Sequence, residues 1–587
     1  MSKIDGVSLK KRAQKPNIPT KMQPLVADES ILPPTSPRYA PLRSRANITD
    51  FTISIPNSKT RDGIGEEPTL SRWHTIEYKL YALAFVLVVP MLVWVPMRLS
   101  LPIHRNYLHY SYKLSRGWLF GRQVDNSDIQ YRSFRNNLPS LVLLASSYLA
   151  ASFAHSCFTT VQLSRIAFIT AFSAFMIILL HGTSSLKIVA LLALNYYVSK
   201  SPLSPAMRKV WPWVIICGNV VLLFMNERGD GYRFRDLHAK FGLLDKYSGL
   251  LPRWHIGFNI TMLRQVSFGL DYVWRENTNS NESPVDHRNR VRMSLPEEEY
   301  SFINYIAYCL YPPLYIAGPI MTFNDFIWQI RNPVPISAKT RLSYGIRFLF
   351  CLLTLESILH TMYVVAIKDT AAWSYDTPAE LSMIGFWNLI IVWLKLLIPW
   401  RAFRFWALLD GMEPPENMVR CVANNYSTLG FWRSWHRSYN LWIVRYIYVP
   451  IGGSKNVIAA TVLSFTFVAL WHDLSLKLLA WGWLVSLFIV PEILARRIFT
   501  AEKYGSYSWY RHICAMGGVA NILLMMTANL VGFVLGLDGT KHLLYQLTST
   551  FSGWLFMVFA SSCLFIAVQV MFEYREEEKR RGIDRRC

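Results

Sequence analysis

Residues 80–97 read LYALAFVLVVPMLVWVPM and contain no charged side chain. Equally uncharged stretches recur at residues 138–154, 210–226, 457–471, 514–537 and 551–572. Further apolar stretches, most with one or a few charges, cover residues 163–180, 186–198, 256–274, 302–323, 342–367, 382–400 and 476–494. Because a helix needs about 20 apolar residues to cross a bilayer, this pattern predicts an all-α polytopic membrane protein with about 11–13 membrane segments, some of them broken or re-entrant.

The composition of the whole chain agrees with a membrane protein. Its 587 residues are 52% hydrophobic and 17% charged, whereas soluble proteins carry about 25% charged residues. Lys and Arg number 61 against 38 Asp and Glu, which gives a net charge of +23. The mean hydropathy of +0.21 argues against a nucleic-acid partner despite that charge. The basic residues must therefore be concentrated at particular places in the fold.

The two ends of the chain are polar. Residues 1–75 combine Pro, Ser, Asn, Lys and Arg without helical periodicity, and we expect a disordered, basic N-terminal tail there. Residues 76–572 then form the membrane domain, and residues 573–587 form a charged C-terminal tail. The eight cysteines include no CxxC pair, so neither a disulfide framework nor a structural zinc site is expected.

A histidine, His472, ends the apolar part of the stretch VIAATVLSFTFVALWHDL. Burial disfavours the charged imidazole, so such a histidine stays neutral and keeps a lone pair that accepts a proton. A general base that deprotonates a hydroxyl group needs that lone pair. The alternative interpretation is an interfacial histidine that caps the helix and contacts lipid headgroups.

Aromatic and basic residues alternate in FWRSWHRSYNLWIVRYIYVP, residues 431–450. If this segment is a single helix, Arg433 and Arg437 share one face, with His436 beside them; Arg445 follows further along. Guanidinium groups bind phosphate oxygens through paired hydrogen bonds, which favours a phosphate-bearing ligand. An anchor helix at the membrane interface is the alternative.

Other ionisable residues stand within apolar stretches, where each costs roughly 2.5–3.5 kcal/mol on insertion scales and needs a partner. Arg264 and Asp271 are too far apart along one helix for a close pair, so we expect each to meet a residue elsewhere. Glu356 and His360 stand at helical i, i+4 spacing without an evident third ligand. We expect a buried hydrogen-bonded pair there rather than a metal site.

The segment YCLYPPLYIAGPIMTFNDF carries helix breakers within an apolar stretch, namely Pro312, Pro313, Gly318 and Pro319. Broken helices persist at membrane depth only where the backbone is buried in protein or lines a cavity. We therefore expect an internal cavity or tunnel near this segment.

The segment FWRSWHRSYNLWIVRYIYVPIGG, followed by ALWHD, resembles the signature of membrane-bound O-acyltransferases. The stretches GWLFGRQVDNSDIQYRSFR, FNITMLRQVSFGLDY and LLIPWRAFRFWALLDGMEPPENMVRC are similar to the fungal glycerol-uptake branch of that family. The family pairs a membrane-embedded histidine with an upstream Asn, Asp or His. His472 matches the first of these and His436 the second, and the resemblance covers residues 73–587.

The resemblance implies a helical bundle around a transmembrane tunnel, in the endoplasmic reticulum membrane, with the plasma membrane as an alternative. It implies an O-acyltransferase that moves a very-long-chain acyl group from acyl-CoA to the lyso-phosphatidylinositol moiety of GPI anchors. Its partners would be acyl-CoA, the GPI lyso-lipid and membrane lipids, without a cofactor or a metal. His472 would be the base, and His436 would polarise the carbonyl or the oxyanion. The residues expected to bind acyl-CoA are Arg433, Arg437, Arg445, Asn440 and Trp435.

Two other functions stay open at this stage. A glycerol/proton symporter also uses broken helices and buried ionisable residues, but transporters often carry paired broken helices in repeated halves. This sequence shows one clear broken segment and no counterpart, which counts against transport. Within the acyltransferase class, the acceptor could instead be a protein, a sterol or diacylglycerol.

Overall fold

The computed structural model describes residues 70–157, 164–201, 204–275, 287–472, 476–581 and 583. Most of the predicted N-terminal tail, residues 1–69, and the last four residues of the predicted C-terminal tail, 584–587, lie outside the described residues. The described chain is almost entirely helical, apart from one antiparallel pair of short strands, β1 (Leu114–Arg116) and β2 (Gln123–Asp125). The predicted all-α class is confirmed.

The helices fall into three consecutive groups along the described chain. The first group contains α1 (Ile76–Leu99), α2 (Tyr107–Tyr110), α3 (Ile129–Cys157), α4 (Arg165–His181), α5 (Ser185–Ser199), α6 (Pro205–Arg228), α7 (Phe234–Leu237) and α8 (Trp254–Trp274). The second contains α9 (His287–Arg292), α10 (Phe302–Cys309), α11 (Pro312–Tyr315), α12 (Phe323–Arg331), α13 (Ala338–Thr361), α14 (Val364–Asp369) and α15 (Pro378–Leu409). The third contains α16 (Thr428–Ser434), α17 (Arg437–Ile443), α18 (Val457–His472), α19 (Leu476–Ile498), α20 (Ala501–Tyr504), α21 (Tyr510–Asn529), α22 (Gly536–Ser549) and α23 (Phe551–Arg580).

Local sequence sets where many of these helices begin. A Ser or Thr side chain accepts a hydrogen bond from the first turn, which satisfies an N–H group that has no helical partner. The residues that do so are Thr75, Ser164, Ser204, Ser301, Thr322, Ser337, Ser427 and Thr550. At the start of α15, Thr377 and Glu380 exchange such bonds reciprocally, in a capping box.

Nine helical stretches within the described ranges are long and apolar enough to cross a membrane, which confirms the polytopic class. These nine stretches are fewer than the 11–13 membrane segments predicted from the sequence, and the helix boundaries explain the difference. Helices α4 and α5 form one stretch, Arg165–Ser199. Helix α18 has only 16 residues, and the apolar stretch at residues 302–323 divides into α10 and α11.

Helix α15 is the central element of the bundle. Its 32 residues extend about 48 Å at 1.5 Å per residue, and it packs against helices from all three groups. Half of its most apolar window is buried inside the protein, against 6% for α1 and α3 and 17% for α23. Helices α1, α3 and α23 are therefore the least buried of the nine stretches in the described ranges.

The broken segment is repaired from inside the protein by Arg264. Pro313 lacks the N–H group that would bond the carbonyl of Cys309 in a continuous helix. The buried guanidinium of Arg264, from α8, donates to that carbonyl over 2.7 Å and also to the carbonyl of Leu314. Asp271 pairs instead with Arg445, at 2.8 Å, so the expectation that Arg264 and Asp271 have separate partners is confirmed.

The pair Glu356 and His360 is buried and hydrogen-bonded, as expected. The Glu356 carboxylate accepts from the Tyr131 hydroxyl (2.7 Å) and from the Trp118 indole (3.0 Å). His360 Nδ1 lies 2.6 Å from the Glu356 carbonyl, and its Nε2 accepts from the Trp118 backbone N–H. In the part of the chain that is described, no group of three or more His, Cys, Asp or Glu is placed to hold a metal ion.

The predicted domain boundary at residue 572 falls inside α23. This helix continues to Arg580, and two of its acidic residues in the charged part are buried. Glu573 pairs with Arg580 at 2.6 Å, and Glu578 with Arg420 at 2.8 Å. The last turns of α23 thus pack against the rest of the protein.

Replacement of Arg264 by Met should leave the Cys309 carbonyl buried without a donor. An unsatisfied buried acceptor costs about 1–3 kcal/mol, so we expect a lower midpoint of thermal unfolding for the purified protein in detergent. Arg228→Met, at an exposed arginine at the end of α6, is the matched control and should leave the midpoint unchanged. Equal midpoints for the two variants would contradict this account of the break.

Candidate functional site

A cavity of about 1610 Å³ lies between α1, α15 to α19 and α21 to α23. Ligand pockets usually measure about 300–1,000 Å³, so this one has room for a larger ligand. Ile320 and Thr322, at the end of the broken segment, line it. The internal cavity expected near that segment is therefore present.

The structure brings all of the predicted site residues to this one cavity. They are Arg433, Trp435, His436, Arg437, Asn440, Arg445 and His472. His287 and Arg292, from α9, line the same cavity, and sequence reasoning missed them. The run HRNRVR is visibly basic, but nothing in its pattern connects it with residues more than 100 positions further along the chain.

The helix predicted across this segment is interrupted at His436. Helix α16 ends at Ser434 and α17 begins at Arg437, because His436 takes the left-handed conformation, with φ 43° and ψ 49°. The N–H groups of Arg437 and Ser438 donate to Asn417 instead of to helical carbonyls. The condition under which Arg433 and Arg437 would share one face is thus not met, and they lie on two different helices.

The left-handed conformation limits which residues fit at position 436. It costs a residue with a Cβ about 1–2 kcal/mol, and among non-glycine residues Asn, Asp and His adopt it several times more often than others. These are the three residue types that the family resemblance allows at this position. The backbone conformation therefore restricts which residue types fit at position 436, in addition to any chemical role of the side chain.

The two histidines share a pocket of aromatic rings. The His436 imidazole stacks on Trp400, with ring centroids 4.7 Å apart, and lies 5.2 Å from the ring of Tyr439. The His472 imidazole lies 4.7 Å from Trp471 and 6.4 Å from Tyr439. The rings of Tyr439 and Trp471 are thus neighbours of both imidazoles.

Both imidazoles keep their nitrogens available to a ligand. Across the described ranges, neither His436 nor His472 is hydrogen-bonded to another side chain or to the backbone through its ring, and both line the cavity. A neutral imidazole offers one N–H donor and one lone pair. Two such rings in one cavity can accept a proton at one point and donate a hydrogen bond at another.

Arg445 is already balanced by a carboxylate. Its guanidinium donates to Asp271 over 2.8 Å and lies over the rings of Trp274 and Tyr446, in the π-helical turn Val444–Tyr448. Arg433 and Arg437 line the cavity on the two sides of the break at His436. The three arginines of the segment thus have different surroundings.

Trp435 and Asn440 flank the break. The Trp435 ring stacks on Phe431, with centroids 5.5 Å apart, and meets Trp400 edge-on at 5.8 Å. The backbone N–H of Asn440 donates to the carbonyl of His436, and this bond starts α17. The acyl-CoA-binding role of both residues stays a prediction.

The remaining wall of the cavity is apolar. It is formed by one face of each of α1, α15, α22 and α23. Typical members are Val88, Leu92, Phe386, Leu547, Phe556 and Leu564. Two of these helices, α1 and α23, are also among the least buried of the candidate membrane spans in the described ranges.

The fold and the site together define a class of protein. An integral membrane bundle encloses two histidines, several arginines and a long apolar wall in one cavity, which suits a membrane enzyme that acts on an amphipathic substrate. The chain belongs to the membrane-bound O-acyltransferase family, whose sequence profile matches residues 234–537. The family resemblance and the expected O-acyltransferase activity are thereby confirmed.

Similar proteins cover nearly the whole chain. The membrane-bound O-acyltransferase GUP1 of Saccharomyces cerevisiae is 46% identical over 550 residues, which are 91% of this chain and 96% of the relative. GUP1 of Candida tropicalis is 47% identical over 549 residues, 91% of this chain and 93% of the relative. The mouse protein-cysteine N-palmitoyltransferase HHAT is 29% identical over 249 residues, 38% of this chain and 48% of its own length.

Substitutions at residue 436 should separate backbone conformation from side-chain chemistry. His436→Asn fits the left-handed conformation and should leave the thermal unfolding midpoint near that of the wild type. His436→Val places a β-branched residue there, and we expect it to lose about 1–3 kcal/mol more than His436→Asn. Thermal unfolding in detergent measures both variants. Equal stability of the Val and Asn variants would show that this conformation is not maintained.

Proposed function

We propose that this O-acyltransferase transfers a very-long-chain acyl group from acyl-CoA to a hydroxyl of the lyso-phosphatidylinositol moiety of GPI anchors, in the endoplasmic reticulum membrane. The observation that supports it is the composition of the cavity. Two cavity-lining imidazoles that make no ring hydrogen bond to any described residue, cavity-lining arginines and a long apolar wall occur together in one space. These features suit a hydroxyl nucleophile, a polyphosphate group and long hydrocarbon chains.

In the proposed reaction His472 is the general base. Its lone pair accepts the proton of the acceptor hydroxyl while that oxygen attacks the thioester carbonyl carbon. A carbon–oxygen bond forms, and the carbonyl oxygen takes up the negative charge. When the intermediate collapses, the carbon–sulfur bond breaks, and the CoA thiolate leaves with the proton that His472 received.

His436 stabilises the charge on the carbonyl oxygen in this scheme. Its N–H group donates a hydrogen bond to the oxyanion, where a fixed donor in a low-dielectric site has its largest effect. The stacked Trp400 ring holds the imidazole plane in place. A cavity shielded by protein also keeps water away from the thioester.

Arg433 and Arg437, which line the cavity on the two sides of the break at His436, are the proposed residues for the CoA phosphates. Arg445 is paired with Asp271, which is fully buried, and a phosphate would have to compete with that carboxylate. Arg292 lines the same cavity and joins the proposed phosphate site. Arg445 then serves mainly to balance Asp271 and to hold the π-helical turn.

The apolar wall supports a lipid acceptor. Helices α1 and α23 line the cavity and are little buried inside the protein, which suits an acceptor whose hydrocarbon chains lie along this wall. The relatives that cover the whole chain are named as O-acyltransferases. The partial match to HHAT, which is named as a protein palmitoyltransferase, keeps a protein acceptor as the second candidate.

The base is tested by His472→Ala. We expect kcat to fall by about 10²–10⁴, the usual contribution of general acid–base catalysis. The measurement is mass spectrometry of phosphatidylinositol formed by purified protein from lyso-phosphatidylinositol and a series of acyl-CoAs. His181→Ala is the control, because His181 is buried outside this cavity and bonds Tyr315. Unchanged acylation by His472→Ala would refute its role as base.

The role of Arg437 is tested by comparing acyl-CoA with a shorter acyl donor. Arg437→Ala should raise KM for acyl-CoA by about tenfold or more, since a hydrogen bond to a charged group contributes about 1.5–3 kcal/mol. With acyl-pantetheine, which lacks the nucleotide, KM should not change. An equal increase for both donors would contradict phosphate binding by Arg437.

Arg445→Ala should act differently from Arg437→Ala. It leaves the buried Asp271 carboxylate without its guanidinium, and breaking a buried ion pair costs about 3–5 kcal/mol. We therefore expect loss of thermal stability as the main effect, measured by unfolding in detergent. A normal unfolding midpoint together with a raised KM for acyl-CoA would assign Arg445 to the phosphate site instead.

The acceptor is identified by offering several acceptors together. Purified protein receives labelled acyl-CoA with lyso-phosphatidylinositol, diacylglycerol, a sterol and a peptide with a free N-terminus, and each product is measured by mass spectrometry. We expect the label in phosphatidylinositol. Label only on the peptide would replace the lipid proposal with the protein-acceptor alternative.

A further inference from the structure

We propose that Asn417 is a positioning residue for His436: its two oxygens hold the break between α16 and α17 open and thereby aim the His436 imidazole into the cavity. The inference rests on the proposed role of His436 in the reaction. It concerns a residue in the segment between α15 and α16, outside the aromatic and basic stretch that contains the histidine.

Three contacts from this segment bracket His436. The backbone carbonyl of Asn417 accepts from the Arg437 N–H, and its side-chain Oδ1 accepts from the Ser438 N–H, both over 3.0 Å. Met418 forms an antiparallel bridge with Trp435 on the other side. The residues on both sides of His436 are thus tied to residues 417 and 418.

These contacts replace the bonds of a continuous helix. In such a helix the N–H groups of residues 437 and 438 would donate to the carbonyls of residues 433 and 434. Asn417 and Ser438 are buried, so a residue without the side-chain oxygen leaves the Ser438 N–H without this acceptor, while the backbone carbonyl of residue 417 still accepts from Arg437. The loss of its side-chain oxygen favours rewinding of the break, which would rotate the His436 ring away from its stacked position on Trp400.

The segment that carries Asn417 is itself fixed to four helices. Glu413 exchanges hydrogen bonds with Gln329 of α12, and the Pro414 carbonyl accepts from Arg404 of α15. Glu416 accepts from Tyr344 of α13, and Arg420 forms two hydrogen bonds with Glu578 of α23, at 3.1 and 2.8 Å. These hydrogen bonds therefore hold the segment around residue 417 in place, as the role of a positioning residue requires.

The side-chain oxygen of Asn417, and not its amide nitrogen, makes the contact. The nitrogen is buried and has no hydrogen-bond partner among the described residues. Asn417→Asp keeps an acceptor oxygen in place and loses no hydrogen bond. Asn417→Leu has a similar shape and removes the acceptor.

The test compares these two variants in the full-length purified protein. Asn417→Leu should lower kcat for acylation of lyso-phosphatidylinositol by about tenfold to a hundredfold, the effect of a misplaced catalytic group, with KM for acyl-CoA nearly unchanged. Asn417→Asp should keep most of the wild-type kcat. Asn219→Leu, at a buried asparagine of α6 that bonds Asn195, controls for general loss of stability and should leave kcat per folded protein unchanged.

A double-mutant cycle with His436→Ala separates positioning from a purely structural role. If Asn417 acts through His436, Asn417→Leu should have no further effect on kcat in the His436→Ala background. The same fold loss in both backgrounds would overturn the proposal. So would a loss of thermal stability without a loss of kcat, or an Asn417→Asp variant as impaired as Asn417→Leu. If Asn417→Leu does not fold, the kcat of Asn417→Asp tests the proposal instead.

The same cycle distinguishes failure of this inference from failure of the proposed function. If His436→Ala keeps full activity, the role of His436 fails and the positioning proposal fails with it. If His436→Ala is impaired while Asn417→Leu is not, the reaction scheme stands and only the role of Asn417 is overturned.

Discussion

Hydrocarbon offers a polypeptide no hydrogen-bonding partners, so each break in a membrane helix must be repaired from within the protein. This constraint explains two contacts on which the structure depends. Arg264 donates to the carbonyl of Cys309, where Pro313 has no N–H group to give. Asn417 accepts from the N–H groups that follow His436. In each case a buried polar residue from another part of the chain supplies the hydrogen-bonding partner that the irregular backbone would otherwise lack.

The second break gives the site its geometry. Because His436 is left-handed, α16 and α17 diverge, and the imidazole lies on Trp400, with the ring of Tyr439 as a neighbour of both it and His472. A continuous helix would have placed Arg433 and Arg437 on one face. In the structure they line the cavity from separate helices, and the cavity brings the histidines, the arginines and the apolar wall together.

Much of this was predictable from local patterns. Apolar stretches indicated the polytopic class, the helix breakers after Tyr308 indicated a cavity, and His472 was marked by the uncharged helix before it. The break at His436 was not predicted, because the arginines and aromatics of the segment have helical spacing and the acceptors that hold the break belong to Asn417. Arg445 was grouped with the other arginines, since its pairing with Asp271 links positions 174 residues apart.

Three features of this protein follow from local sequence: the chain crosses a membrane many times, many of its helices begin at capping residues, and its motifs identify its family. Each is readable in the sequence because hydropathy, caps and motifs are local properties. The tertiary structure alone decided which of the buried polar residues meet. It assigned Asp271 to Arg445, Glu578 to Arg420 and the turn at His436 to Asn417. These pairs depend on how helices pack in three dimensions, and a charge or an amide in one helix carries no local sign of the partner that packing will bring to it.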